Sequence, residues 1–245
     1  MASRLKLLLA ATGFAVFMQP ALAEPPRAVV ELFTSQGCSN CPPADALLVE
    51  YSKQPDIVAL SFPVNYWDYL GWKDTLAHAD FTTRQKEYAH GRNDRQVFTP
   101  QMIVNGKKSC IGSDKAQIEN AIQMTLKGRT KLPVDIAVSE ENGKVAISVT
   151  EVAEPVRRDA LVWVLPVMRS QTVPIERGEN KGKTVTYANV VRGLKRVGEW
   201  TGGSARFEVP VETARSGADG YVVLLQTAQD DRPSVILGAA KSSGL

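Results

Sequence analysis

Two cysteines three positions apart, Cys38 and Cys41, are the residues of this sequence best suited to covalent chemistry. They follow an apolar, β-branched run at 27–34 and precede a segment, 44–51, whose apolar residues recur at helical spacing. A thiol at the start of a helix faces the positive end of the helix dipole, which lowers its pKa and makes it a nucleophile near neutral pH. The spacing therefore predicts a dithiol, between a strand and a helix, that can close into a disulfide.

The short spacing bears on whether this pair is a redox site or a structural crosslink. A disulfide between Cys38 and Cys41 closes a very small loop, and so it removes little conformational entropy from the unfolded chain. Because such a crosslink stabilises the fold only weakly, the pattern favours thiol–disulfide exchange. In that reaction Cys38, expected to be the more exposed sulfur, attacks and Cys41 resolves the mixed disulfide.

Metal binding and a redox-inactive role are the alternatives for the same pair. A structural zinc site needs four Cys or His ligands, usually in two close pairs, but the chain has three Cys and two His. A c-type haem needs a His directly after the second Cys, where this sequence has Pro42. Two thiolates do suit Cu(I). We expect no metal or cofactor, with Cu(I) handling and a redox-inactive binding module as the alternative functions.

The first half of the chain alternates strand and helix patterns around the cysteines. A second buried strand is predicted at 57–67 and a helix at 74–90. A hairpin at 100–112 turns at Asn105-Gly106, a pair typical of tight hairpin turns. This alternation predicts an α/β domain.

The order strand, Cys-x-x-Cys, helix resembles the thioredoxin superfamily, and Thr99-Pro100, directly before the hairpin strand, adds to the resemblance. The resemblance implies that Pro100 follows a cis peptide bond beside the cysteines. It also implies that Thr99 and Pro100 form a platform on which an extended substrate pairs. The dipeptide between the cysteines, Ser39-Asn40, differs from the Gly-Pro of thioredoxins and the Pro-Tyr of glutaredoxins.

An aromatic insert at 66–74 precedes the Thr-Pro strand and contains Trp67, Tyr69 and Trp72. One interpretation is a local aromatic core that holds the insert down. The other is a groove wall beside the cysteines that recognises a substrate peptide. We take Trp67 and Trp72, with Thr99 and Pro100, as the candidate substrate-binding residues.

The second half has a different pattern, with short strand-like segments, turn signals and no strong helical period. The strand candidates lie at 132–150, 160–168, 183–191, 205–211, 220–228 and 234–240. This pattern predicts a β-sandwich. Taken whole, the chain resembles a family of exported bacterial proteins of unknown function that pair a thioredoxin-like domain with a β-rich half. The predicted fold class is α/β plus β, with a thioredoxin-like domain at 24–130 and a β-sandwich-like domain at 131–245.

Residues 1–23 have the pattern of an export signal: a positive start, an apolar run at 7–17 and the small-x-small sequence Ala21-Leu22-Ala23. The apolar run is too short to span a membrane, although an uncleaved anchor is the alternative. Removal of Arg4 and Lys6 lowers the formal net charge from +3 to +1, which argues against nucleic-acid binding. We expect a periplasmic or secreted protein, without stable membrane insertion after cleavage, that acts on protein thiols or disulfides.

Three further features have both a structural and a functional interpretation. Cys110 is either a small buried hydrophobe or a third thiol near the pair. The histidines, His78 and His90, are too far apart on a helix to share a metal and are read as surface or capping residues. The segment 176–192 is either a turn and strand or a polar site that gathers Glu179, Asn180, Tyr187 and Asn189.

Overall fold

The structure is a computed structural model that describes residues 25–150 and 159–245. The predicted signal at 1–23 lies outside the described residues. Within the described part of the chain, no helix is long and apolar enough to cross a membrane.

Four strands of the first half form one end of a large sheet. They are β1 (Ala28–Thr34), β2 (Ile57–Pro63), β3 (Gln101–Val104) and β4 (Lys108–Ile111). Their order is β2-β1-β3-β4, with β1 and β2 parallel and the other neighbours antiparallel. All residues of β1 and β2 are buried, as expected for continuous apolar runs covered on both faces.

Three helices connect these strands: α1 (Pro42–Ser52), α2 (Ala79–Arg92) and α3 (Lys115–Leu126). A short 3-10 helix, Asp68–Leu70, lies in the aromatic insert. The predicted apolar face of α1 is buried, and it packs with α3 against one face of β1, β2 and β3. The helix α2 contributes Phe81 and Tyr88 to the core on the opposite face.

The second half contributes eight strands and one short helix. They are β5 (Ile136–Glu141), β6 (Lys144–Val149), β7 (Ala160–Pro174), β8 (Thr184–Val191), β9 (Lys195–Trp200), β10 (Ala205–Pro210), α4 (Val211–Arg215), β11 (Gly220–Gln229) and β12 (Arg232–Lys241). Burial alternates along β10, as its apolar alternation predicts, whereas β11 is buried from Gly220 to Thr227.

The strands of the second half do not stay together in one unit. Five of them extend the sheet of the first half, which has nine strands in the order β12-β11-β7-β8-β2-β1-β3-β4, with β9 also paired to β7. The junction is parallel and has a single register pair, Ser61 with Val190. Only β10, β6 and β5 form a second sheet, whose apolar face packs on β7 and β11. The fold is therefore a mixed α/β structure with one large sheet that runs through both halves.

A buried polar network also joins the two halves. The carboxylate of Glu31 on β1 accepts hydrogen bonds from Arg84 Nε (2.8 Å) and from the Tyr88 hydroxyl (2.6 Å). Gln226 on β11 accepts a bond from Arg84 Nη2 at 2.9 Å and donates one to the Tyr88 hydroxyl at 2.6 Å. All four side chains are buried, so each polar atom depends on the others for its partners.

Candidate functional site

Cys38 and Cys41 form a disulfide in the loop between β1 and α1, with their Cα atoms 5.4 Å apart. Two consecutive turns shape this loop. The Cys38 N–H donates to the carbonyl of Ser35, and the Cys41 N–H donates to the carbonyl of Cys38, both at 3.1 Å. The local hydrogen bonding therefore brings the two sulfurs together at the start of the helix, as the spacing predicts.

The two sulfur-bearing residues are buried, and this limits their access. Cys38 is 3% exposed and Cys41 is fully buried, whereas Ser39 and Asn40 between them are exposed. The expectation that Cys38 is the more exposed of the two holds by this small margin only. A partner can reach Cys38 only if the groups that cover it move.

The first turn of α1 offers fewer donors than the sequence argument assumed. Pro42 and Pro43 carry no N–H, and the N–H groups of Ala44 and Asp45 donate to the carbonyl of Cys41. Stabilisation of a thiolate at this helix start therefore depends on the helix dipole rather than on direct bonds from the proline positions.

Pro100 lies beside the start of α1, and the Thr99–Pro100 bond is cis. Gly112 is packed between Pro100 and α1: a Cβ atom at Gly112 would lie 3.0 Å from Pro100 Cβ and 3.2 Å from Ala44 Cβ. The Thr99 hydroxyl accepts a hydrogen bond from Trp67 Nε1 at 2.7 Å. The loop that precedes β3 therefore meets both the helix of the cysteines and the aromatic insert.

Both predicted tryptophans contact the cysteine loop and use their ring N–H groups within the protein. Trp67 packs on Gly37, where an added Cβ would lie 3.0 Å from Trp67 Cβ. Trp72 donates from Nε1 to Gln36 Oε1 at 2.8 Å. The Trp72 bond holds the cysteine loop, whereas the Trp67 ring N–H is bonded to Thr99. Tyr69 is stacked on Trp67 and is 77% exposed, whereas Trp67 and Trp72 are half-buried.

Asp74, at the end of the insert, fixes the same loop. Its carboxylate accepts bonds from the N–H groups of Gln36 (2.7 Å), Leu76 (2.8 Å) and Ala77 (3.1 Å). Burial raises the pKa of Asp74, and these donors oppose that rise. The insert therefore has a structural role in holding the residues that precede Cys38.

Asn180, from the second half, covers the cysteine loop and was not linked to it by the sequence. Its Nδ2 donates to the carbonyl oxygens of Gln36 (2.9 Å) and Cys38 (2.8 Å), and its side chain is 1% exposed. Lys183 donates to its Oδ1 at 2.9 Å. Nearby, Gly178 packs against Trp72. The loop between β7 and β8, residues 175–183, is therefore a lid over Cys38.

The four polar residues of the segment 176–192 do not gather in one site. Asn180 reaches the cysteine loop, whereas Asn189 Nδ2 donates to the carbonyl of Ala59 on β2 at 3.0 Å. Tyr187 is buried, with a pKa raised by burial and by the nearby charges of Asp45 and Asp74. Glu179 is exposed. The segment thus supplies a loop contact and a sheet contact at different places.

Asp45 is a buried acid one helical turn after Cys41. Its Oδ1 accepts a bond from the Thr34 hydroxyl at 2.7 Å, and its Oδ2 has no hydrogen-bond partner among the described residues. Burial raises the pKa of Asp45 to about 8, with Asp74 as a further cause and the Thr34 bond in opposition. Residues four apart share a helix face, so the Asp45 side chain lies on the same side of α1 as Cys41.

Cys110, His78 and His90, the remaining candidate residues, occupy structural positions. Cys110 is free, 6% exposed and packed in the core beneath α1 and α3, and burial raises the pKa of its thiol. His78 caps α2 by accepting from the Asp80 N–H, and His90 is exposed in the last turn of that helix. Among the described residues, no group of three or more His, Cys, Asp or Glu is placed to hold a metal ion.

Comparison with protein families assigns most of the chain. The family described as protein of unknown function, DUF1223, matches residues 29–226. The chain belongs to this family. The DUF1223 match includes the cysteine loop, the aromatic insert, the Thr99-Pro100 loop and Asn180, so the whole candidate site lies within it. No curated protein shows significant sequence similarity to this DUF1223 chain.

Two solved structures resemble this DUF1223 protein. Protein AGR_C_4864 from Agrobacterium tumefaciens is 34% identical with a TM-score of 0.81, over 91% of this chain and 96% of that one. HBP35 of Porphyromonas gingivalis is 11% identical with a TM-score of 0.61, over 89% of this chain and 75% of that one. At 11% identity the second likeness shows a shared fold alone.

Proposed function

We propose that this protein catalyses thiol–disulfide exchange on protein partners through Cys38 and Cys41. The observation that carries the proposal is the position of the disulfide: it lies at the start of α1, one turn from the buried acid Asp45, on a helix whose Ala44 packs against Gly112 together with Pro100 of the cis Thr99–Pro100 bond. We also propose that β1–β4 and α1–α3 form a thioredoxin-like unit. The order β2-β1-β3-β4 supports this assignment.

The exchange runs in two steps when the protein acts as a reductant. The Cys38 thiolate attacks one sulfur of a partner disulfide, which forms a mixed disulfide and releases the first partner sulfur as a thiolate that takes a proton from water. The Cys41 thiol then gives its proton to the fraction of Asp45 that is ionised, which grows as the pH approaches its pKa of about 8, and attacks Cys38 Sγ. The second partner sulfur leaves as a thiolate, and the Cys38–Cys41 disulfide is complete. Two electrons pass to the partner, and the reverse sequence oxidises a partner dithiol.

Each neighbouring group has a role in this scheme. The raised pKa of Asp45 makes its carboxylate a stronger base than an ordinary aspartate, so it suits a proton transfer from Cys41. Thr99 provides the backbone edge for an extended partner segment, because the Pro100 carbonyl already accepts from the Gly112 N–H, and exposed Tyr69 extends that surface. The export pattern at 1–23 supports a periplasmic or secreted site of action, where disulfides persist.

Substitution of each cysteine tests the proposal directly. Cys38→Ser removes the nucleophile and is expected to abolish activity in insulin-reduction and oxidative-refolding assays. Cys41→Ser removes the resolving thiol and is expected to accumulate mixed disulfides between Cys38 and partner proteins. Cys110→Ser is the matched control because it removes a thiol outside the site, and it should retain activity. Equal activity in the wild type and the Cys38→Ser variant rejects the proposal.

The burial of both sulfurs favours a second candidate, a redox-inactive binding module in which the disulfide is a fixed part of the scaffold. The reduction potential of the Cys38–Cys41 pair distinguishes a thiol–disulfide exchange enzyme from the binding module. A value near about −270 mV indicates a reductase and one near about −120 mV an oxidant. A disulfide that resists excess dithiothreitol in the folded protein indicates the binding module.

A further inference from the structure

A cleft of about 490 Å³ lies at the opposite end of β1 from the cysteines. The turn Asn105-Gly106 is on its wall, and the Asn105 N–H donates to the carbonyl of Val29, near the first residue of β1. The other walls come from the end of α2, the end of α3, the linker that follows α3, and β12. Both halves of the chain therefore build this cleft, and it shares no residue with the candidate dithiol site.

The titratable side chains that line the cleft are cationic, apart from the Tyr88 phenol. Six Lys and Arg residues contribute, and no Asp, Glu or His is among the lining residues in the described chain. The six are Arg92, Lys107, Lys127, Arg129, Lys131 and Arg232. Three of them lie together at 127–131, and the other three come from separate parts of the chain, so the fold brings four stretches of sequence to the cleft.

The whole chain is close to neutral, which makes this concentration of charge a local feature. The sequence has 29 Lys and Arg against 26 Asp and Glu. Three of the lining cations pair with carboxylates that do not line the cleft: Arg92 with Asp94, Lys131 with Asp135, and Arg232 with Glu87. Lys107 and Lys127 are exposed and form no ion pair within the described chain.

Helix ends explain part of this charge but not all of it. Arg92 is the last residue of α2 and Lys127 follows the last residue of α3, where a cation offsets the negative end of the helix dipole. Each dipole end is equivalent to only about half a charge. Lys107 lies in the hairpin turn, Arg129 and Lys131 in the linker and Arg232 on β12, so the helix dipoles do not account for these four cations.

We propose that this cleft binds a small soluble polyanion, a molecule that carries two or more phosphate or carboxylate groups close together. Lysine and arginine side chains bind such groups by charge-assisted hydrogen bonds. The concave shape favours a ligand that enters the cleft over a flat charged surface. Pro133, Pro233 and Val235 also line the cleft, are half-buried and provide apolar area for the organic part of such a ligand.

Calorimetric titration of the full protein tests the proposal, with pyrophosphate and citrate as separate probes and acetate as the singly charged control. Saturable binding of pyrophosphate or citrate, weakened by added salt, is the expected result. The probe that binds also identifies the anionic group. If neither probe binds saturably at low salt, the proposal is wrong.

A paired-lysine variant locates the binding. Lys107→Gln with Lys127→Asn removes two exposed charges, and Asn suits the left-handed backbone of residue 127, where φ is +51°. The variant should bind the probe about tenfold more weakly. The control, Lys73→Gln with Lys181→Gln, removes two exposed charges outside the cleft and should bind like the wild type. Equal weakening in both variants contradicts a site in the cleft.

An anionic membrane surface presents the same chemistry from another source. Sedimentation with phosphatidylglycerol vesicles distinguishes it from a soluble ligand. Vesicle binding that the paired-lysine variant loses, without binding of either soluble probe, overturns the proposal in favour of a lipid surface. Because the cleft and the cysteines share no residue, the result is independent of the exchange activity.

Discussion

Asp45 is a carboxylic acid buried one helical turn beyond Cys41, with one oxygen unpaired among the described residues. Its folded pKa of about 8 lies above the ordinary value of 3.8. Between these values the folded protein keeps the proton and the unfolded chain loses it, so unfolding releases a proton. The stabilising effect of the neutral acid is therefore complete below pH 4 and declines as the pH rises towards 8.

Asp45→Asn keeps the shape of the neutral acid and removes its titration. The free energy of unfolding of the wild type, relative to this variant, should fall by about 1.4 kcal/mol for each pH unit between pH 5 and 7. Urea unfolding at three pH values measures it. Asp74 also has a raised pKa, but it is common to both proteins and cancels in the difference. A difference that stays constant with pH contradicts the prediction.

Part of the site was predictable at the residue scale because the signals are local. The spacing of Cys38 and Cys41 predicted their disulfide, and the pair Thr99-Pro100 predicted the cis peptide bond, and the structure contains both. Asp45 was also detectable, as an acid four residues after Cys41 on the buried face of a predicted helix. Pro42 and Pro43, which remove two N–H donors from the first turn of α1, were visible in the sequence too.

At the scale of elements, we expect the lid formed by residues 175–183 to limit access to Cys38. Asn180 binds two loop carbonyls, and a buried carbonyl that loses its donor costs about 1–3 kcal/mol. Asn180→Ala should therefore loosen the lid, lower the free energy of unfolding by that amount and expose Cys38. We expect faster reduction of the Cys38–Cys41 disulfide by dithiothreitol, measured by thiol alkylation and mass spectrometry.

Glu179→Ala is the matched control for the lid, because Glu179 is exposed in the same loop. Its disulfide should be reduced at the wild-type rate. If Asn180→Ala and the wild type are reduced equally fast, the loop does not limit access to Cys38.

The contact between this lid and the cysteines shows where sequence patterns stop being informative. Asn180 and Cys38 are 142 residues apart, and an Asn-Gly-rich turn has the same local pattern whatever it touches. The alternation of apolar and polar residues predicted where strands form, but it does not specify which strands pair. The sequence therefore predicted most strands of the second half without predicting that five of them extend the sheet of the first.

At the scale of the whole molecule, the network of Glu31, Arg84, Tyr88 and Gln226 couples the two halves. Glu31→Gln leaves the buried Arg84 cation without its carboxylate, and breaking a buried ion pair in this way costs about 3–5 kcal/mol. The loss of stability should appear equally in both halves of the chain. Hydrogen exchange of β2 and β11 amides, with and without the substitution, measures it.

Arg232→Gln is the control for this network. It removes the ion pair between Arg232 and Glu87, in which the side chains are 39% and 34% exposed. Such exposed pairs contribute about 1 kcal/mol or less to the free energy of unfolding. If Glu31→Gln speeds hydrogen exchange of the β2 amides but not of the β11 amides, the halves unfold independently and the coupling is contradicted.

The single register pair between β2 and β8 has a consequence for how the protein is made. A ribosome delivers β2 long before β8, so the edge of β2 that later meets Val190 and Asn189 is uncovered while the rest of the chain is synthesised. An apolar strand with a free edge is a template for intermolecular pairing. We therefore expect the nascent chain to need a holding chaperone during that interval, and to aggregate if synthesis stops before β8.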